Sequence, residues 1–313
     1  MSNDVDLKLS KAYFSSVITD DQLLKQLTGD NYSSNSLISI INDWNRFVEF
    51  CQLKSVSPFP SSVTAVRLYI QSQRQTRKLS TLKRYLISIG IIHRCNDLSD
   101  PTNHRQVKFL LQELRLEKKD DAKQAAPFQL VHLETLNEKL GHSEDIKDIR
   151  DVCVWNIMFE TMIKRSELKS LQTNQIAYGE SDIVTLDIDQ VTYALSQSAS
   201  GYLVRWINMA NIHNGIVFRS INRHGTVGVE VLNDSSIYRI VRRASDELGL
   251  KVKFSGQSTR VGATQELAQQ GYALKEIQTF GRWASPAMPA QYLGNKPTAE
   301  QEKRKYKKAK PWD

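Results

Sequence analysis

Apolar side chains recur every three or four positions through most of the first third of the chain. Leu37, Ile40, Ile41, Trp44, Phe47, Val48 and Cys51 form one such stripe, the period that places side chains on one face of an α-helix. Val63, Val66 and Ile70 form a second, after a Pro58 to Ser62 turn whose serines suit a helix N-cap. Leu82, Tyr85, Leu86, Ile89 and Ile92 form a third, with Ser80 as its expected cap, and Val107, Leu110, Leu111 and Leu114 form a fourth after Asp100-Pro101. The pattern predicts a helical N-terminal domain over residues 1–116. Residues 117–127 then break the period with charged and small side chains ending in proline, which is linker composition.

A second domain is expected over 128–296, mainly helical with a small β-sheet. A helix near 145–160 leads into a second helical stretch from Met162 to Leu171. Residues 182–188 alternate apolar and polar like a strand, and 216–218 and 227–231 read as short strands. Ile237, Ile240, Val241, Ala244 and Leu248 return to the helical period and Gly249 closes it. Helices follow over 258–270, stopped at Gly271, and around Leu274, Ile277 and Phe280. Ser285 as N-cap with Pro286 in the first turn predicts a short helix carrying Tyr292. Residues 297–313 form a basic tail, with six Lys or Arg between Glu302 and Lys310.

The 313 residues carry a net +8, and a basic chain of this kind most often meets a polyanion, nucleic acid first among them. The polar faces of the second to fourth helices carry Arg77, Lys78, Lys83, Arg84, Arg105 and Lys108. Such charges commonly serve only as a solvated face, but their concentration suggests a DNA-backbone surface, to which Arg282 is added. No run of 18 apolar residues occurs, so no membrane-spanning helix is expected. The first residues, Met1 to Asp6, have no apolar signal core. Cys51, Cys95 and Cys153 are odd in number and far apart, as expected of reduced thiols in a cytoplasmic protein. The six histidines have no metal-ligand spacing, and no glycine-rich phosphate loop is present. Neither a metal nor another cofactor is therefore expected.

The stretches Gln257-Ser-Thr-Arg260-Val-Gly-Ala-Thr264, Gly281-Arg282-Trp283 and Met288 to Tyr292 set an arginine, a tryptophan and a tyrosine 23 and 9 residues apart. These side chains suit the breaking of a phosphodiester. A phenol can attack phosphorus once positive neighbours favour its ionised form. A guanidinium donates two parallel hydrogen bonds to phosphate, and an indole donates one. Each residue alone reads more simply as packing or surface.

Together they resemble the C-terminal active-site block of the tyrosine site-specific recombinases, the phage-integrase and Cre-like family. The resemblance is strongest over 254–292, moderate over 122–171, and a matter of pattern before 116. It implies a helical core-binding domain and a mixed catalytic domain that clamp double-stranded DNA at a specific recombination site. Tyr292 would form a 3′-phosphotyrosine link and release a 5′-hydroxyl, and a partner strand would reverse the step without a cofactor. The family works as tetramers on two sites, so residues 297–308 would be a helix donated to a neighbour. Accessory DNA-bending proteins and a phage or plasmid setting in a bacterial cell, at the nucleoid, belong to the same expectation.

Three positions depart from the family pattern. The first catalytic arginine, three residues before Glu167, is Lys164, with Arg165 one step on. One residue turns a helix by about 100°, so either side chain serves as the phosphate contact. The general-acid lysine expected in a hairpin loop has its counterpart near Gln190, and no lysine occurs over 181–204. The histidine before Arg260 is Gln257, which hydrogen-bonds but does not shuttle protons. Two readings follow: a divergent working recombinase, or a relative that binds recombination sites and regulates or bridges them without efficient cutting.

Overall fold

The computed structural model describes residues 9–119, 123–179 and 182–308, without the side chains of Asp30 and 306–308. The chain divides into two units, Met1–Lys123 and Gln124–Asp313, a division inside the 117–127 stretch. Residues 120–122 of that stretch, 180–181, and the tail beyond 308 lie outside the described residues. Among those described, no helix is long and apolar enough to cross a membrane.

In the first unit the four apolar stripes become α2 (Ser34–Leu53), α3 (Val63–Gln73), α4 (Leu79–Arg94) and α5 (Arg105–Glu117), preceded by the short α1 (Gln22–Thr28). Ser33 and Ser62 cap α2 and α3 by accepting the amide hydrogens of Ser36 and Ala65. Ser80 does not cap α4. The helix starts two residues earlier than a Ser80 cap would have it, at Leu79, whose side chain packs on the core, and the cap position falls to Lys78. Trp44, Phe47, Phe14, Phe59, Tyr69 and Tyr85 fill the centre with almost no exposure. One charge is buried among them. Asp43, 1% exposed, takes Nε and Nη2 of Arg84 at 2.8 Å each and the Ser88 hydroxyl at 3.1 Å.

The second unit is built around α7 (Ile146–Glu160), which is buried continuously from Ile149 to Phe159. A helix with no polar face needs neighbours on all sides. α6 (Leu130–Leu140), α9 (Gln197–Met209), α10 (Asp234–Glu247) and α11 (Ser258–Gln269) supply them. Trp155 and Trp206 lie within this core and donate their indole N–H to the carbonyls of Ile240 and Val217. The expected 162–171 helix is shorter: α8 runs Arg165–Ser170. Met162 sits at φ +50°, which interrupts the helical path between α7 and α8.

The expected 182–188 strand is β2 (Val184–Ile188), the middle of an antiparallel sheet between β1 (Ile176–Tyr178) and β3 (Val191–Ala194). Ile188 pairs with Val191 across a two-residue turn, Asp189-Gln190, with both φ angles positive. That is the primed-turn geometry whose twist matches the strands. Residues 216–218 carry only an isolated bridge from Ile216 to Gln172, and the strand lies just after them as β4 (Arg219–Ile221), paired with β5 (Val227–Val231). α12 (Leu274–Phe280), α13 (Ala287–Tyr292) and α14 (Lys296–Lys308) complete the unit. Pro286 occupies the N-cap of α13 rather than its first turn, and Ser285 contributes no cap hydrogen bond there. α14 packs on α13 of its own chain, with Ala299 buried and Lys303 Nζ donating to Gln291 at 2.8 Å.

Candidate active site

α11 begins at Ser258 and carries Arg260 one turn in, facing the interior. The side chain is 5% exposed and is held by carbonyls: Nη1 donates to Met162 and Nη2 to Gly281 at 2.8 Å. The left-handed break at Met162 and the turn after α12 therefore present the acceptors. The guanidinium carbon stands 4.3 Å from the centre of the Trp283 ring, within cation–π range. Among the described residues no carboxylate forms an ion pair with Arg260. Burial lowers its pKa, with neighbouring Tyr292 acting in the opposite sense, and a guanidinium stays charged in any protein.

Gly281 makes this close packing possible. A β-carbon there would run into the Trp283 ring, so only glycine lets the indole fold back over its own turn. Tyr292, at the end of α13, is 4% exposed and meets Trp283 edge-on, with centroids 5.9 Å apart and planes at 76°. Its carbonyl accepts from Gln265 Nε2 at 3.2 Å and Gln124 Nε2 at 3.1 Å, which fixes the backbone behind the ring. Burial raises the phenol pKa, and Arg260 pulls it down. Arg260, Trp283 and Tyr292 thus form one contiguous group, brought from three elements.

Beside them lies a second layer that sequence reading used only to count positions. Glu167 Oε1 accepts from Lys164 Nζ at 2.6 Å, and Oε2 accepts the Lys164 amide at 2.8 Å and Arg282 Nη2 at 2.7 Å. Burial acts to raise the Glu167 pKa, but Lys164 and Arg282 outweigh it and hold the carboxyl below its ordinary value. Lys164 occupies the N-cap position of α8, where Glu167 accepts its amide hydrogen, and its side chain is 46% exposed. Arg165 is also exposed and lies across Gly256, where a β-carbon would strike its stem. Gln257 is exposed at the N-cap of α11. Gln190 is exposed at the hairpin turn, three residues before Tyr193 and so about 10 Å along the strand from it.

Arg282 corrects the sequence reading. Its side chain is 4% exposed, so it is interior and not an open DNA contact. Of the expected first-unit contacts, Arg84 has two donors committed to Asp43, although its side chain is 55% exposed. Arg77 is partly buried, while Lys78, Arg105 and Lys108 are exposed and Lys83 is intermediate. Two other groups that could donate a proton, Lys253 and His224, are occupied elsewhere: Lys253 pairs with Asp246, and His224 accepts from Arg223 in the β4–β5 turn.

Among the described residues, a buried guanidinium with no carboxylate ion pair stands against an indole and next to a phenol. A guanidinium, an indole N–H and a phenol are groups that suit binding and attack at a phosphodiester. Residues 129–298 match the Phage integrase family, and the chain belongs to that family. It is 23% identical over 288 residues to "Recombinase cre" of Escherichia phage P1, covering 83% of this chain and 82% of that one. It is 25% identical over 279 residues to an "Integrase/recombinase xerD homolog" of Selenomonas ruminantium, at the same coverages. Among solved structures, XerH recombinase bound to a palindromic difH substrate superposes with a TM-score of 0.65 at 14% identity, covering 94% of each chain. The Tn1549 transposon integrase in complex with circular intermediate DNA gives 0.63 at 12% identity, covering 90% of this chain and 98% of that one. These likenesses establish the two-domain recombinase fold.

Proposed function

We infer that the protein is a site-specific DNA recombinase that cuts and rejoins strands through a 3′-phosphotyrosine. The observation that carries this is the packing of Arg260, Trp283 and Tyr292 into one group inside the matched family region. Tyr292 Oη attacks the scissile phosphorus, the bond to the 5′-oxygen breaks, and the departing oxygen takes a proton. Attack by a 5′-hydroxyl of the partner strand reverses these changes, so bond number is conserved and no cofactor is consumed. Arg260 holds the non-bridging oxygens, and its charge favours the phenolate as well as the pentacoordinate state. Lys164 is the second phosphate contact, with Arg165 beside it; Trp283 and Gln257 add hydrogen bonds, and Gln190 stands where a general acid is expected.

Of the two readings open in sequence, family membership and the grouping of Arg260, Trp283 and Tyr292 favour the cutting enzyme. Lys78, Lys83, Arg105 and Lys108, with Arg77 and the outer edge of Arg84, contact the DNA backbone. The active assembly is a homotetramer on two sites at the nucleoid of a bacterial cell, with α14 exchanged between protomers and DNA-bending proteins as accessories. The test is a nicked suicide duplex carrying a site selected by the protein itself. Wild type gives a covalent protein–DNA band on a denaturing gel, and Tyr292→Phe gives none while binding the same duplex. A band from Tyr292→Phe removes Tyr292 as nucleophile.

A further inference from the structure

Arg282 sits between the strand that ends near the site and the helix that begins it. Nη2 meets Glu167, and Nη1 donates to the Thr161 carbonyl at 3.3 Å and to the Tyr193 hydroxyl. The Tyr193 ring lies 5.1 Å from the guanidinium carbon. Tyr193 in turn donates its hydroxyl hydrogen to the Phe280 carbonyl, one residue before Gly281. Arg282 holds φ +54°, a conformation that disfavours a side chain and persists where surroundings impose it. These ties impose it. They fix the 280–283 turn, whose Gly281 carbonyl receives Arg260 and whose Trp283 faces both Arg260 and Tyr292.

The second consequence concerns charge. Glu167 has one carboxylate and two cations, with Lys164 on Oε1 and Arg282 on Oε2. Lys164 is an exposed point charge with three donors, and one is on Glu167. With Arg282 gone, the whole Glu167 charge faces Lys164, and the ammonium, already 2.6 Å from Oε1, is held there more tightly against transfer to a phosphate. Resting on the recombinase reading, we propose that Arg282 is a positioning residue for cleavage. It sets the Trp283 turn and holds Glu167, so that Lys164 reaches the scissile phosphate.

The experiment is single-turnover formation of the covalent complex on the suicide duplex, with duplex affinity measured in the same buffer. Four proteins are compared: wild type, Arg282→Met, Arg282→Lys, and Arg282→Met combined with Glu167→Gln. Arg282→Met is expected to slow cleavage about 10²-fold, the scale of a misplaced catalytic group, with affinity unchanged. Arg282→Lys keeps the charge but not the fork and falls between. Neutralising Glu167 in the Arg282→Met background is expected to restore part of the lost rate, which a general weakening of the fold does not do. If Arg282→Met does not fold, Arg282→Lys with and without Glu167→Gln carries the same comparison. Unchanged cleavage in Arg282→Met, or a loss that Glu167→Gln leaves as it is, overturns the proposal. Absence of cleavage by wild type overturns the recombinase reading, and the role of Arg282 with it.

Discussion

Arg243, with a side chain 31% exposed, and Arg260, 5% exposed, lie in the same unit and meet opposite kinds of partner. Arg243, on α10, donates to Asp148, Asp151 and Glu247, three carboxylates from two helices, and Arg150 adds a second cation on Asp151. Arg260, on the next helix, donates to two carbonyls and faces two aromatic rings. The first cluster is matched in charge: with Lys139 also on Glu247, three cations meet three carboxylates. The second is unmatched, because carbonyl oxygens satisfy the hydrogens but leave the charge uncancelled. A fold that desolvates a cation without neutralising it keeps a place for an anion. Matched charge therefore marks architecture here, and unmatched charge marks chemistry.

The largest effect should come from breaking the matched cluster. Arg243→Met strands the nearly inaccessible Asp151 with one cation fewer and is expected to cost about 3–5 kcal/mol of stability. The denaturant midpoint reads this directly, and cleavage should persist at low temperature where the variant stays folded. A small stability loss would mean that the cluster is not architecture.

Arg260→Met should do the reverse. Cleavage falls about 10²–10³-fold, the cost of losing one charge-stabilising donor. The midpoint drops less than in Arg243→Met, because only carbonyls lose a partner. Equal losses of stability in the two variants would erase the distinction.

Acid sharpens the contrast on a smaller scale. Lys139 first, then Arg243, holds Glu247 below its ordinary pKa, and Ser143 with Arg243 does so for Asp148 against the effect of burial. A depressed carboxylate stabilises the fold fully above its unfolded value, near 4, and loses that contribution as pH falls through the folded value. Stability should therefore be insensitive to these groups from pH 7 to 5 and decline below about 4.5, by about 1.4 kcal/mol for each unit of depression. Arg243→Met should show a shallower decline. Unfolding midpoints measured at pH 7, 5, 4 and 3 check both.

The smallest expected effect separates the two candidate phosphate contacts. Gly256→Ala displaces the Arg165 stem and leaves Lys164 alone. Cleavage close to wild type assigns the phosphate to Lys164, and a loss comparable to Arg260→Met assigns it to Arg165.

Much of the helical framework was legible because its period is local. The stripes at 37–51, 63–70, 82–92 and 107–114 need only a one-sided core to become helices, and they did. α1, α6, α9 and the outer strands β1 and β3 were not read. β1 and β3 have three and four residues, too few to display alternation, and α9 follows β3 after a break of two residues. Of the site, Arg260, Trp283 and Tyr292 were visible through their spacing. Glu167, Tyr193 and Gly281 were not recognised as parts of it, although Glu167 stands three residues after Lys164, the interval that brings helical side chains together.

Arg282 shows where sequence stops. The sequence by itself determined the helical periods, the basic balance, and an arginine, a tryptophan and a tyrosine at fixed separations, because these are properties of neighbours along the chain. Packing between elements is what makes Arg282 interior and leaves Arg260 with no carboxylate ion pair among the described residues. Whether a guanidinium contacts DNA, carries catalysis or braces a turn depends on its distance to Glu167, Tyr193 and Trp283. Those distances are set by packing between elements far apart in sequence.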